Sequence, residues 1–160
     1  MYRKATENDF EFIYALFMHP TINPHLLYEN MSEQDFKPIF EDLLNKEILY
    51  VFEIEEKPVG MFKLIRHTYR SAHVAYLGSF AIHPNYIGNG FGTKMLKVII
   101  AFAKDIGIKR LELSAGVRNE KAILLYEKCG FEKEGVLRNL TYFESEKMFI
   151  DEVMMSYIIE

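Results

Sequence analysis

Tryptophan is absent from the chain, and cysteine occurs once, at Cys129. A single thiol excludes an internal disulfide framework and a cysteine-rich zinc site. Cys129 falls on the apolar side of a helical stretch with no histidine near it in sequence, so it reads as a buried, inert thiol. Long apolar runs are also lacking. None approaches a membrane span, and the charged opening M-Y-R-K-A-T-E-N-D reads as no secretory leader, so a cytoplasmic protein with no membrane partner is expected. Positive charge is in short supply: 19 Lys and Arg against 23 Asp and Glu give a formal net charge of −4, without long blocks of one sign. That balance argues against a nucleic-acid surface and mildly favours a cationic substrate. With no repeat, linker or low-complexity tract, the 160 residues, 49% of them hydrophobic, are expected to form one globular domain spanning 1–160.

What is there is concentrated between residues 77 and 96. Leu77 to Ile82 is a short apolar run bounded by Pro84 and a glycine cluster, which favours a buried strand. Met95, Leu96, Val98, Ile99, Ala101, Phe102 and Ile106 then recur at helical spacing as far as Gly107, a C-cap. Gly88, Gly90 and Gly92 stand where strand becomes helix. Backbone N–H groups there, unobstructed by Cβ atoms and helped by the positive end of the helix dipole, can grip a phosphate or pyrophosphate. The spacing is neither the dinucleotide G-x-G-x-x-G nor the Walker G-x-x-x-x-G-K-[ST], because Thr93 and Lys94 stand in the wrong order. On the loop alone, a tight packing turn stays open as the alternative.

A second block, N-E-K-A-I-L-L-Y-E-K-C-G-F, runs from Asn119 to Phe131. Asn119 is suited to cap a helix, and Glu120 to occupy its first turn. Ala122, Ile123, Tyr126 and Cys129 share one face, and Gly130 ends it. An ordinary capped amphipathic helix would look the same.

The remaining chain reads in order as follows. Tyr2 to Ala5 is a strand, Thr6 with Asp9 opens a helix reaching about Met18, and His19 to Asn30 is a loop with exposed aromatics, among them Tyr28. Ser32 with Asp35 opens a helix to about Lys46, with an irregular first turn at Pro38. Ile48 to Ile54 and Val59 to Arg66 form a hairpin across E-E-K-P, and Val74 to Ile82 extends the meander. Leu111 to Val117 is a strand, and Val136 to Phe143 with Phe149 to Ile159 forms a final antiparallel pair.

Taken together, the two blocks resemble the GNAT superfamily of acetyl-CoA-dependent N-acetyltransferases. Ile82-His83-Pro84 matches the family's strand end, and Gly90 and Gly92 match the last two positions of its [QR]-x-x-G-x-[GA] loop. The 119–131 block matches its N-x-x-A-x-x-L-Y-x-x-x-G-F. Ile87 stands where the family has Gln or Arg, which leaves the pyrophosphate to backbone donors. The resemblance implies an α/β (α+β) fold, a mixed, mostly antiparallel sheet of about seven strands flanked by about four helices. It implies acetyl-CoA as co-substrate, held by Phe80, Ala81, Ile82, Ile87, Gly88, Asn89, Gly90, Phe91, Gly92, Thr93, Asn119 and Tyr126, and no metal.

By the same resemblance, Tyr126 is the general acid that protonates the departing thiolate, and the backbone N–H of Ile82 is the oxyanion donor. The family's strand glutamate has its counterpart in Tyr76, a poor base with an unperturbed pKa of about 10. Tyr76 and Glu29 are the leading candidates for the base, beside Tyr28, His73, His83 and Asp151. Asp151 and Glu152 could meet a cationic acceptor or hold a hairpin. The expected reaction is direct attack by a primary amine, whether a small amine, a polyamine or an amino acid. Acetylation of a protein N-terminus of the ribosomal-protein type, and coenzyme A binding without turnover, stay open, as does a homodimer.

Overall fold

Leu49, Tyr50, Val51 and Phe52 are all buried, because the strand they form is covered on both faces. A computed structural model describes residues 1–160. Its seven strands are β1 (Tyr2–Lys4), β2 (Leu49–Ile54), β3 (Lys57–Arg66), β4 (Val74–Ile82), β5 (Arg110–Gly116), β6 (Glu132–Phe143) and β7 (Met148–Ile158). They form one sheet in the order β1-β2-β3-β4-β5-β7-β6. Every neighbouring pair is antiparallel except β4 and β5. The mixed, mostly antiparallel sheet is therefore as expected.

Five helices flank it: α1 (Phe10–Phe17), α2 (Asn23–Leu26), α3 (Glu33–Asn45), α4 (Phe91–Asp105) and α5 (Glu120–Lys128). Side chains alternate across the pleat, so β2 sends Leu49 and Val51 to one face and Tyr50 and Phe52 to the other. The first face packs on Ile13, Leu16 and Phe17 of α1 and Phe36, Phe40 and Leu43 of α3. The second packs on Met95, Leu96 and Ile99 of α4 and Ile123 and Tyr126 of α5.

Local chemistry accounts for most boundaries. Ser32 caps α3 by accepting from the Asp35 N–H at 3.1 Å. Gly107, at φ +81°, ends α4. Five readings change. Residues 7–9 form a 3-10 turn ahead of α1, because the Asp9 carboxylate is occupied by the Thr6 N–H at 2.7 Å and by Arg3. The segment 19–30 contains α2, tied to α1 by the buried Asn23 amide donating to the Phe17 carbonyl at 2.7 Å. Tyr28 is half-buried against Phe17, with ring centroids 4.8 Å apart. Pro38 does not disturb α3: it lies on the exposed face, where water can serve the carbonyl its missing N–H would have met. The β2–β3 turn is two residues, Glu55 and Glu56, both at positive φ (51° and 63°), as the twist of a tight hairpin requires.

Candidate active site

Strands β4 and β5 are paired only over Val74↔Arg110, Ala75↔Leu111 and Tyr76↔Glu112. Beyond Tyr76 they part, since β4 follows β3 to Ile82 whereas β5 stays with β7 as far as Gly116↔Glu152. The cause lies in β4. Its pairing runs Lys63↔Gly78 and then Met61↔Ala81, so two steps along β3 oppose three along β4, and the extra residue bends the strand. Ser79, at φ +46°, stands in that interval. The bulge also reverses the alternation. Ala75 and Leu77 face the α4 and α5 side, yet Ala81 faces α1 and α3, leaving Phe80 and Ile82 packed toward α4 and α5.

The gap is a cavity of about 520 Å³. Its walls bring together Tyr76, Phe80, Ala81, Ile82, Ile87, Gly88, Gly90, Phe91, Gly92, Thr93, Asn119 and Tyr126, segments distant in sequence. The His83 N–H donates to the Val59 carbonyl at 2.8 Å, so by the alternation of an antiparallel ladder the Ile82 N–H turns away from β3 and toward the gap. Gly88 and Gly90 sit at φ +88° and +73°, conformations open to glycine and strained for other residues. Gly90 is the N-cap of α4 and brings no side chain to its first turn. The N–H groups there, backed by the dipole of a 15-residue helix, form a concave donor set for an anion. Ile87 lies on the rim, 63% exposed. Asn89 is not part of the wall: its side-chain amide turns back to donate to the Tyr86 carbonyl at 3.1 Å.

Asn119 reaches the cavity from the start of α5, where its side-chain oxygen accepts from the Ala122 N–H at 3.4 Å. One helical segment further, Tyr126 is buried, with its ring 5.8 Å from Phe80 and 5.9 Å from Phe131. Burial, and secondarily the neighbouring Tyr76, raise the Tyr126 phenol above its ordinary value. It is neutral at physiological pH and able to donate. Cys129, half-buried at the end of α5, has its thiol raised by burial.

Tyr76 begins a chain that sequence reading does not find. Its hydroxyl lies 2.8 Å from the Ser114 hydroxyl on β5. Ser114 donates to one oxygen of Glu152 on β7 at 2.5 Å, and Thr141 on β6 donates to the other at 2.6 Å. Glu152 is 3% exposed, and with Tyr76 and Ser114 it lines the cavity. Burial raises the Tyr76 phenol too, which leaves still less phenolate to act as a base by itself at neutral pH. The signal in the sequence was the Asp151-Glu152 pair on a largely apolar β7, but the partners of Glu152 come from the strand order.

The other candidates lie apart. Glu29 accepts from the Ser145 hydroxyl at 2.6 Å and its N–H at 3.3 Å, which lowers its carboxyl, and it lines a second cavity of about 490 Å³ rather than the first. Tyr28 and Asp151 line that second cavity as well, Asp151 holding the Asn139 N–H at 2.7 Å. His83 lines neither cavity. Its ring stacks 6.2 Å from Phe12, and burial lowers its pKa. His73 is exposed where β4 begins, its carbonyl taken by the N–H groups of Lys109 and Arg110. The two cavities adjoin and share His25, Leu27 and Asn119.

Comparison with known proteins supplies the remaining observation. Residues 10–131 match the sequence profile of the acetyltransferase (GNAT) family. The spermidine N(1)-acetyltransferase of Vibrio cholerae is 28% identical over 166 residues, covering 92% of this chain and 90% of that protein. An uncharacterized N-acetyltransferase of Methanocaldococcus jannaschii is 32% identical over 92 residues, which span 56% of this chain and 41% of the archaeal protein. The crystal structure of the Vibrio cholerae spermidine N-acetyltransferase with CoA and spermine superposes with a TM-score of 0.84 at 21% identity, covering 99% of this chain and 95% of that one. A ribosomal-protein-alanine N-acetyltransferase from Brucella melitensis gives 0.77 at 22% identity, covering 99% of each chain. The chain belongs to the acetyltransferase (GNAT) family and is an acyltransferase that draws on acetyl-CoA.

Proposed function

We propose that the protein transfers the acetyl group of acetyl-CoA to a primary amine of a polyamine, by direct attack in a ternary complex. The observation that carries the choice of acceptor is the second cavity. It adjoins the first at Asn119 and carries Glu29, Glu146 and Asp151 against a single cation, Arg118. A long, multiply charged amine can lie along such a surface while one terminal nitrogen enters the first cavity, where a short monoamine would leave the carboxylates unused. The spermidine N-acetyltransferase likeness points the same way.

In this reading the backbone of Phe80 and Ile82 pairs with the pantetheine arm, and the loop from Gly88 to Thr93 holds the pyrophosphate through main-chain donors. The Ile82 N–H faces the acetyl oxygen and steadies the negative charge that develops there. Tyr126, held neutral by burial, hands its proton to the departing thiolate. Ile87 contributes apolar surface where the family commonly places a polar contact.

The test is thiol release from acetyl-CoA with spermidine, spermine, a monoamine of similar length and an alanine-ended peptide. kcat/KM is expected to be highest for the polyamines and to fall as salt rises, since acceptor attraction is electrostatic. Turnover of the peptide alone would transfer the assignment to protein N-termini, and saturable coenzyme A binding without acceptor-dependent release would overturn catalysis altogether.

A further inference from the structure

The general base is the part of the reaction that neither phenol nor carboxylate in the cavity supplies singly, and the cavity's one histidine, His25, stands exposed where the first cavity adjoins the second. Tyr126 and Tyr76 are phenols, and the carboxylates of Glu29 and Asp151 lie on the wall of the other cavity. Glu152 is the one carboxylate that lines the first cavity. Both of its oxygens are already in use, one by Ser114 and one by Thr141. The hydrogen-bond directions follow from that. A carboxylate only accepts, so Ser114 gives its proton to Glu152 and its oxygen is left to accept from the Tyr76 O–H. The Tyr76 oxygen then keeps its lone pairs for a donor from outside the chain. All the links run one way, from the cavity inward to a buried anion.

We infer that Tyr76, Ser114 and Glu152 form a proton relay that deprotonates the attacking amine, with Tyr76 in contact with the acceptor and Glu152 the terminal proton acceptor. The inference rests on the acetyltransferase reading above. The amine enters neutral, having left one proton to water. As its nitrogen forms the bond to the acetyl carbon, its N–H proton passes to the Tyr76 oxygen, the Tyr76 proton to Ser114, and the Ser114 proton to Glu152. The carbon–sulfur bond breaks with its electron pair on sulfur, which takes the Tyr126 proton. One proton is collected at Glu152 and one is lost at Tyr126, so the two groups are restored by net transfer of a proton between them, and none is consumed. The arrangement explains how a tyrosine can stand at the family's glutamate position. It never has to hold a negative charge, only to pass a proton while accepting another.

Ser114 and Glu152 act through Tyr76, so the test needs readouts that a purely architectural role would not move. Tyr76→Phe, Ser114→Ala and Glu152→Gln are compared with wild type, Glu152→Gln keeping an oxygen to accept from Ser114. Each is expected to lower kcat about 10² to 10³-fold with KM for acetyl-CoA changed only a few-fold. Because the three groups act in series, the double variants should lose no more than the singles. The proton inventory in mixed H₂O and D₂O should be bowl-shaped for wild type, reporting several protons in flight, and linear for each variant. An active wild type with a linear inventory, or a Glu152→Gln or Ser114→Ala protein with wild-type kcat, overturns the relay and leaves the acetyltransferase reading standing. A wild type inactive toward every amine defeats that reading instead. Thermal melts of all three variants separate misfolding from loss of the relay, and Tyr76→Phe, which removes only a hydroxyl, keeps the question decidable if either of the others unfolds.

Discussion

Removing the Tyr126 hydroxyl leaves its ring between Phe80 and Phe131, so Tyr126→Phe should melt within a few degrees of wild type. What it deletes is the proposed proton donor. kcat should fall about 10² to 10⁴-fold while KM for acetyl-CoA moves only a few-fold, as steady-state kinetics will show. The raised phenol also fixes the pH behaviour: an acid whose pKa lies above the ordinary value of about 10 stays protonated through the range in which an exposed tyrosine would be lost. No decline in kcat centred at or below pH 10 should therefore depend on Tyr126. A decline there that disappears in Tyr126→Phe would contradict the burial argument. At Gly90 the obstacle to replacement is the backbone, for nothing lies within 4 Å of an added Cβ, but φ is +73°. Gly90→Val should weaken acetyl-CoA at least tenfold by calorimetry, about 1.4 kcal/mol, as the loop shifts to relieve the strain. At this scale the sequence was most legible in the placing of the glycines, Asn119 and Tyr126, whose positions at a turn, a helix cap and a helix face depend on near neighbours along the chain. Glu152 was legible only as one of two acids, with Asp151, that could meet a cationic acceptor or hold a hairpin, since Ser114 and Thr141 reach it from strands 38 and 11 residues away.

Strands and helices were read to within a few residues wherever hydrophobic period and capping agreed, as in α3, α4 and β4. The bulge in β4 escaped because it adds one residue without changing composition: L-G-S-F-A-I still looks like a buried strand, and only the pairing with β3 shows that its alternation reverses. That reversal sends Phe80 and Ile82 toward Tyr126, so the most consequential feature of the element is one that local sequence does not carry. Ser79 holds φ +46°, and its hydroxyl is buried without a partner. Ser79→Gly removes the steric cost of that conformation and the unsatisfied hydroxyl together, and should raise stability by about 1 kcal/mol, read as a higher Tm with unchanged affinity for acetyl-CoA. A lower Tm would mean that the serine side chain holds the bulge in place.

Across the whole molecule, the sheet divides two cores, and the first helix is fastened to the sheet by charge as well as by packing. Arg3 on β1 donates to both oxygens of Asp9 at 2.8 Å and to Glu53 on β2 at 2.8 Å, joining the start of α1 to two strands. Burial by itself would raise the Asp9 carboxyl, but the Arg3 hydrogen bonds, the Thr6 N–H and the charge of Arg3 outweigh it, and the group lies below its ordinary value. On β6, the Arg110 fork and the Ser156 hydroxyl bring Glu134 down to about 2. A carboxyl depressed in the folded state adds stability that is complete above its unfolded pKa of about 4 and is lost as pH falls through the folded value. The protein should therefore keep its full Tm down to about pH 4 and lose it progressively toward pH 2. Asp9→Asn tests the sign directly. It leaves Arg3 without its buried partner and should cost about 1 to 3 kcal/mol at pH 7, a range kept low because the Arg3 side chain is 39% exposed and water can replace part of what is lost. Its Tm should approach that of wild type as pH drops from 4 to 2, because wild type is then surrendering the interaction that the variant never had. Parallel Tm curves with a constant gap over that interval would show that the cost lies in packing around residue 9 and that the ion pair has no part in it.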